Sequence, residues 1–372
     1  MPGKLRVGII FGGRSGEHEV SLVSATSVIA ALDPAKYEVV PIGITPGGRW
    51  ISSARALGML KEKAGPEAEP EKFLVPEPNR KGLVSLNGGG GSPQSLDVVI
   101  PLVHGTYGED GTLQGLLELA NIPYVGAGVL ASAVGMDKIV QKMVFTTAGL
   151  PVVKYCWAYA DLCRTRPGTV RASVEKSLRY PVFVKPANTG SSVGISKVHA
   201  RRELAPALLE AAGYDRKVII EEGVRDAREI ECSVLGNDDP VASVPGEVVP
   251  SNEFYDYDAK YVDGKSRAVI PAPLPAAMAR TIREFAVRAY RAIDCAGMAR
   301  VDFFVTKRRV LLNEVNTIPG FTAISMYPKM WEASGVPFRE LLDRLIALAI
   351  ERHREMNARR TSYTPAKDWF RS

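Results

Sequence analysis

The stretch "KLRVGIIFGG" (4–13) limits the possible folds more than any other in the chain. Val7, Ile9, Ile10 and Phe11 make an apolar run of the kind a buried strand carries, and two glycines end it in a turn. "GEHEVSLVSATSVIAAL" (16–32) then has its apolar residues at helical spacing. Strands follow at "YEVVPIGIT" (37–45) and "LDVVIPLVHG" (96–105), and a helix over "GTLQGLLELANIPYVG" (111–126) closes the unit. Strands alternating with helices require a parallel sheet covered on both faces. Residues 60–95 interrupt the pattern with Pro66, Pro70, Pro76, Pro78, Pro93 and "NGGGGS", which reads as a long, mobile surface insertion.

A second unit opens with a helix near "GMDKIVQKMVFTTAGLP" (135–151), stopped by Gly149 and Pro151. Strand, glycine- and serine-rich loop and strand follow in "YPVFVKPANTGSSVGISKV" (180–198). Next come a helix in "ARRELAPALLEAAGYD" and a strand in "KVIIEE" (217–222). The third unit has strands at 228–236 and 242–249, a polar aromatic loop at 250–265, and a long helix over 274–294. A hairpin of 298–305 with 309–316 precedes the C-terminal helices. No internal repeat is visible. The boundaries fall at 1–134, 135–226, 227–352 and a basic tail, 353–372.

The net charge of +6 does not mark a nucleic-acid binder. From Arg352 onward, six cations (Arg352, Arg354, Arg359, Arg360, Lys367, Arg371) face Glu355 and Asp368, so 6 − 2 gives +4 of the total in residues 352–372. No aromatic-and-basic stripe accompanies it. No apolar run approaches the roughly 18 residues that cross a bilayer, so no membrane association is expected. The four cysteines lack metal-ligand spacing and read as reduced thiols of a cytoplasmic protein.

Side chains two apart on a strand share a face, so Glu314 and Asn316 of "VLLNEVN" (310–316) project together. If the loop joining them to "GMARVDFFV" (297–305) is of the three-residue type, Asp302 lies opposite Glu314 and Arg300 opposite Asn316. Two carboxylates and an amide oxygen that close need a cation among them, and hard oxygen donors suit Mg²⁺ shared with phosphates. An Arg300–Asp302–Glu314 surface ion network fits the same residues equally well.

"KPANTGSSVG" (185–194) can bring backbone N–H groups close to phosphate oxygens: Gly190 and Gly194 allow a tight path, Ser191 and Ser192 add hydroxyls, and Lys185 reaches an anion. A plain hairpin tip has the same composition, and the ending of a Walker A loop is missing. Lys138 is a second candidate cation or an exposed helix lysine. Glu221 and Glu229 in "IIEEGVRDARE" (219–229) suit adenine and ribose recognition, or are solvated acids beside a linker. Glu17 could bind a substrate ammonium or simply sit in a helix's first turn. His104 lies beyond the carboxyl end of a parallel strand, where open α/β sheets bind ligands.

Taken in order, "GGRSGEHEVSL", "HGTYGEDGTLQG", "GMDK", "KPANTGSSVG", "EFYDYDAKY", "GMARVDFF" and "NEVNTIPGFTAISMYP" resemble the D-alanine–D-alanine ligase family of the ATP-grasp superfamily, over roughly residues 4–350. The resemblance implies an N-terminal Rossmann-like (pre-ATP-grasp) α/β domain followed by a two-domain ATP-grasp fold. It implies ATP as substrate, two Mg²⁺ ions or Mn²⁺ in their place, D-alanine as the other substrate, and a homodimer. Lys138 and Lys185 would contact the ATP phosphates, with the Ser191–Ser192 loop closing over them. Glu221 would meet the adenine amino group, Val224 the ring edge, Glu229 the ribose and Phe304 the base. Asp302, Glu314 and Asn316 would hold the metal. Glu17 and Ser191 would orient the first D-alanine's ammonium, with His104 near its carboxylate. Arg300 and the Gly320 N–H would stabilise an oxyanion, and Ser325 and Met326 would take the second D-alanine's carboxylate. Lys260 and Tyr261 belong to a "YDYxAKY" lid that relatives joining D-alanine to D-lactate lack, so an amine is the expected second substrate. One departure is Glu222–Gly223, where relatives often carry a lysine and a bulky residue.

Two other readings remain distinguishable: a depsipeptide ligase of the same fold, and a regulatory protein that grips nucleotide without turnover. A dinucleotide oxidoreductase is excluded because no GxGxxG follows the first strand.

Overall fold

The computed structural model describes residues 3–63, 72–85, 94–190, 193–249 and 267–363. The chain begins with β1 (Leu5–Gly12), α1 (His18–Ala31), β2 (Tyr37–Ile44), β3 (Trp50–Ile51) and α2 (Ala56–Lys61). Next come β4 (Lys72–Leu74), β5 (Gly82–Ser85), β6 (Gln94–Ser95), β7 (Val98–Pro101), α3 (Thr112–Leu119) and α4 (Val129–Met136). As the βαβ pattern requires, β1 runs parallel to β2 on one side and β7 on the other; β3 is an antiparallel edge, giving the order β3-β2-β1-β7. Gly12 and Gly13 turn the chain out of β1 at φ +87° and +106°, where a Cβ on Gly12 would lie 2.2 Å from the Ile44 carbonyl oxygen.

The insertion expected at 60–95 carries strands. Its described residues form a small antiparallel sheet, β4-β5-β6. Leu74 and Leu83 bury themselves beside Val99, Val103 and Leu117, and that apolar contact outweighs the prolines and glycines around it.

The middle of the chain contributes α5 (Lys138–Thr147), β8 (Tyr155–Tyr159), α6 (Ala160–Thr165), α7 (Pro167–Ser177), β9 (Val182–Pro186), β10 (Ser196–Val198), α8 (Arg201–Tyr214) and β11 (Lys217–Glu222). Its sheet is antiparallel, in the order β10-β9-β11-β8. The last part has β12 (Arg228–Gly236), β13 (Val241–Ala242), β14 (Gly246–Val249), β15 (Arg267–Val269), α9 (Ala276–Ala292), β16 (Gly297–Val305), β17 (Val310–Asn316), α10 (Met326–Ala333) and α11 (Phe338–Asn357). Its sheet runs β15-β14-β12-β16-β17, with β13 beside β12. The amphipathic α9 lays Ile282, Ala286 and Tyr290 over Ile230, Cys232 and Val234.

The strand expected at 242–249 is broken between β13 and β14, where Pro245 has no N–H for a ladder. The helix expected over 111–126 stops at Leu119, and Tyr124, just past Pro123, bridges Val99 of the first sheet.

The last two helices return to the first sheet. Leu341, Leu342, Leu345 and Ile346 of α11 share a core with Val7, Ile9, Phe11 and Val28. Asp343 holds Lys36 Nζ and the Tyr37 hydroxyl, each at 2.7 Å. The helix also continues past the boundary expected at residue 352, and His353 Nε2 reaches the Asn121 carbonyl at 3.0 Å. Leu345→Ala should therefore loosen both ends of the chain together. It is expected to lower the unfolding free energy by about 2–5 kcal/mol, read as a shifted urea midpoint; a separate early transition for the C-terminal helices would contradict this shared core.

Candidate active site

A cavity of about 560 Å³ opens between the β10-β9-β11-β8 sheet and the β15-β14-β12-β16-β17 sheet. Lys138, Lys185 and Glu221 line it from one side, and Arg300, Asp302, Glu314 and Asn316 from the other. Val224, Glu229 and Phe304 complete one wall.

Asp302 pairs with Glu314 and Arg300 with Asn316, as the sequence suggested, but for a different reason. Four residues, 306–309, separate the paired Val305 and Val310, and that loop alone would put Asp302 opposite Asn313. A bulge between Asp302 and Phe303 restores the register, because Phe303 pairs with Leu312 and Asn313 is left over. The extra residue shifts the alternation: Leu312 and Val315 both face the core, and Glu314 and Asn316 both face the cavity.

The Arg300 guanidinium donates to both oxygens of Asp302 at 2.7 Å, and its Nε lies 3.1 Å from Glu231 Oε2. Asn316 Nδ2 donates to Asp302 Oδ2 at 2.9 Å. An ion network around Arg300 thus exists, with Asp302 and Glu231 as its carboxylates, and it lines the cavity and not the outer surface. Burial opposes the Arg300 charge, and Asp302 and Glu231 overcome that and hold its pKa well above the usual value. Among the described residues no three His, Cys, Asp or Glu side chains converge into a metal cage. Two carboxylates and one amide oxygen are a partial set of hard donors, which fits a Mg²⁺ ion completed by water and phosphate oxygens.

Lys138 opens α5, whose first N–H groups, on Ile139 and Val140, bond to Asp137 Oδ1 at 3.1 Å. Its ammonium donates to the Thr189 carbonyl at 2.7 Å, tying the helix to the glycine-rich loop. Gly194 holds φ +71° against Tyr214, so the loop's tight path is real.

Glu221 has protein partners that the motif did not show. It is 2 % exposed, with Lys142 Nζ 2.7 Å from one oxygen and Lys185 Nζ 2.5 Å from the other. Burial pushes its carboxyl up, but the two ammonium groups prevail and hold it down at about 2. The two cations make Glu221 first a counter-ion that holds Lys185 and Lys142, at the cavity wall where an adenine amino group was expected. Lys185 remains on the cavity wall, its pKa raised because Glu221 outweighs the opposing effect of burial.

Beside this cleft lie the carboxyl ends of β1 and β7. Glu17 packs against the glycine-rich loop, since a Cβ on Gly190 would lie 2.4 Å from its Oε2. His104 is buried with both ring nitrogens engaged, Nδ1 at 3.2 Å from the Ile318 carbonyl and Nε2 at 3.2 Å from Ser24 Oγ. Burial pulls the imidazole pKa down despite nearby Glu17. The neutral ring therefore donates from Nδ1 and accepts the Ser24 hydroxyl at Nε2. His104 has no free nitrogen for a substrate carboxylate, so it braces the Ile318 segment instead.

Glu109, not anticipated, lines the cavity and accepts from Gly105 N at 2.8 Å. Desolvation and then Glu17 push its carboxyl up to about 8, against Gly105 N–H, Arg300 and Lys138. A native pKa above the unfolded value means stability that is present below the unfolded pKa and lost as pH rises through the native one. Glu109→Gln removes that loss, so its melting-temperature advantage over the wild type should grow between pH 4.5 and 8. A pH-independent difference would contradict this.

Gly320, Ser325 and Met326 do not line the cavity. Ser325 Oγ sits 3.1 Å from where a Gly320 Cβ would be and accepts from Thr322 N at 3.1 Å. Ser325 precedes α10 and Met326 begins it; Ser325 N donates to the Thr322 carbonyl at 3.0 Å and Pro328 has no N–H, so the first-turn groups without an intrahelical partner are those of Met326 and Tyr327. The Met326 side chain itself packs on Gly246. Ser191, Ser192, Lys260 and Tyr261 lie outside the described residues. Glu231 and Lys142 were also missed. Glu231 sits two residues after Glu229 on one strand, and Lys142 four after Lys138 on one helix, both same-face spacings.

A family profile described as "D-ala D-ala ligase N-terminus" matches residues 6–127, and "D-ala D-ala ligase C-terminus" matches 144–347. A D-alanine–D-alanine ligase of Heliobacterium modesticaldum is 50 % identical over 364 residues, covering 97 % of this chain and 99 % of its own. One from Thermoanaerobacter sp. is 51 % identical over 355 residues, covering 95 % and 98 %. Among solved structures, the D-alanine–D-alanine ligase of Coxiella burnetii superposes with a TM-score of 0.82 at 40 % identity, covering 95 % and 96 %. The VanG D-Ala:D-Ser ligase of Enterococcus faecalis gives 0.83 at 37 % identity, covering 93 % and 100 %.

Proposed function

The chain belongs to the D-alanine–D-alanine ligase family, and we infer that it joins two D-alanine molecules with ATP into the dipeptide used for peptidoglycan. Its fold is an ATP-grasp pair of sheets behind a parallel α/β unit. One observation carries the assignment of the cleft: two lysines and a ribbon bearing Asp302, Glu314 and Asn316 face each other across one cavity, with Arg300 among them. We divide the chain into units 1–134, 135–226 and 227–357, followed by the tail.

In this reading Lys138 and Lys185 bind the triphosphate, and Val224, Glu229 and Phe304 surround the base and ribose. Asp302, Glu314 and Asn316 hold Mg²⁺, which when bound neutralises the crowded phosphate oxygens. Glu17 receives the ammonium of the first D-alanine. A carboxylate is a poor electrophile, so its oxygen first takes the γ-phosphoryl group, giving D-alanyl phosphate and ADP. The neutral amine of the second D-alanine attacks the acyl carbon, Arg300 and the Gly320 N–H stabilise the tetrahedral oxyanion, and phosphate leaves. The Ser325–Met326 segment, at a helix start, holds the second carboxylate. Closing the cleft would keep water from the acyl phosphate.

Among the described residues no helix is long and apolar enough to cross a membrane. A cytoplasmic homodimer completes the reading; its support is the resemblance and the four free thiols. Coupled ADP release with D-alanine, against L-alanine, D-serine and D-lactate as second substrates, tests the assignment. D-alanine-dependent turnover with the dipeptide as product is expected. Preferential use of D-serine or D-lactate would move the chain to another branch of the family, and no amino-acid-dependent ADP release would leave a nucleotide-binding regulator.

A further inference from the structure

We infer that Lys142 is a positioning residue for the reaction: through one buried ammonium it fixes both the strand that carries Glu314 and the anion that holds Lys185. This rests on the cleft reading above.

Among the described residues β17 is the last strand of its sheet. Its outer edge meets the Pro151–Val152 segment at Leu312, whose N–H donates to the Pro151 carbonyl at 2.8 Å, and beyond that point it runs along α5. The bulge also leaves Asn313 outside the pairing. Consecutive residues of α5 meet that edge on either side of Glu314. Gln141 Oε1 accepts from Val315 N at 2.9 Å, and Lys142 Nζ donates to the Asn313 carbonyl at 2.9 Å. Both peptide groups flanking the carboxylate are therefore held by one helix. The same Nζ lies 2.7 Å from Glu221, whose other oxygen meets Lys185 on the cavity wall. Lys142 is 1 % exposed and does not line the cavity. A lysine needed only to neutralise Glu221 would not also have to reach the bulge carbonyl; this one spans both. Without it, the bulge carbonyl loses its donor, Glu314 can turn from the cavity, and Glu221 draws Lys185 inward.

Lys142→Met keeps the length of the side chain and removes the charge. Calorimetric titration of Mg²⁺–ATP is expected to weaken by about 10–100-fold, the usual cost of losing a partner that orients a metal ligand. The KM for D-alanine should move less than about threefold, because Glu17 and the α10 start are untouched. A purely structural lysine would lower the melting temperature and leave nucleotide affinity alone, and that result overturns the proposal. If Lys142→Met does not fold, Lys142→Gln, which keeps a polar donor at the buried site while Lys185 still neutralises Glu221, decides in the same way. Weakened Mg²⁺–ATP binding supports the role, and normal binding refutes it. Failure of both variants to fold also counts against it, since it would assign Lys142 to the core. A wild type that binds no Mg²⁺–ATP would instead bring down the cleft reading itself.

Discussion

Glu314→Gln is expected to lower kcat/KM by about 10³ while the protein stays folded, a larger loss than the 10–100-fold typical of residues that only orient a ligand. The substitution keeps shape and volume and removes one negative charge from the cavity face. In the described structure that charge faces Asp302 across the ribbon and attracts Lys185 and Arg300. An amide oxygen offers a hard cation a dipole where the carboxylate offered a full charge, so Mg²⁺ should bind more weakly and the triphosphate lose its counter-charge. The strand should be indifferent, because Glu314 is only half-buried and its flanking peptides are held by Gln141 and Lys142. Steady-state ADP release at rising Mg²⁺, with a thermal melt of the same sample, reads both halves. Recovery of part of the rate at high Mg²⁺ is expected. Near-normal turnover at low Mg²⁺ would remove Glu314 from the metal site.

The same ribbon shows how far the residues could be read without coordinates. Two-residue spacing correctly placed Glu314 and Asn316 on one face, because local alternation holds on the C-terminal side of the bulge. The pairing with Asp302 depended on a loop length and a bulge that compensate each other, and no residue type announces which combination forms. The parallel first sheet was legible for a similar reason, since a strand buried on both faces has few other uses. Long-range docking was not legible. Nothing in "RELLDRLIALAI" (339–350) says that its apolar stripe covers Val7 and Phe11 rather than the sheet next to it in sequence. Glu221 shows the limit of carrying a role across by motif. Its position in the cleft was right, but Lys142 comes from a helix some eighty residues earlier, and only packing reveals that it takes the carboxylate.

Arg300→Lys is the second large effect, and it separates charge from geometry. Arg300 holds Asp302 with two parallel bonds and also approaches Glu231, so its planar fork is fixed by two strands, β16 and its neighbour β12. Lysine keeps the positive charge, and the carboxylates should remain neutralised well enough for folding and for nucleotide binding. A single ammonium cannot satisfy Asp302 and Glu231 together and still point a donor at the acyl carbon's oxygen. The loss should therefore fall on kcat, by about 10²–10³, the usual cost of removing one oxyanion donor, with the KM for ATP changed only a few-fold. A rise in the KM for ATP at constant kcat would mean that Arg300 binds nucleotide in the ground state. A rate within tenfold of the wild type would leave the Gly320 N–H to stabilise the oxyanion alone, and Arg300 would then be the counter-ion that keeps Asp302 and Glu231 together on adjacent strands.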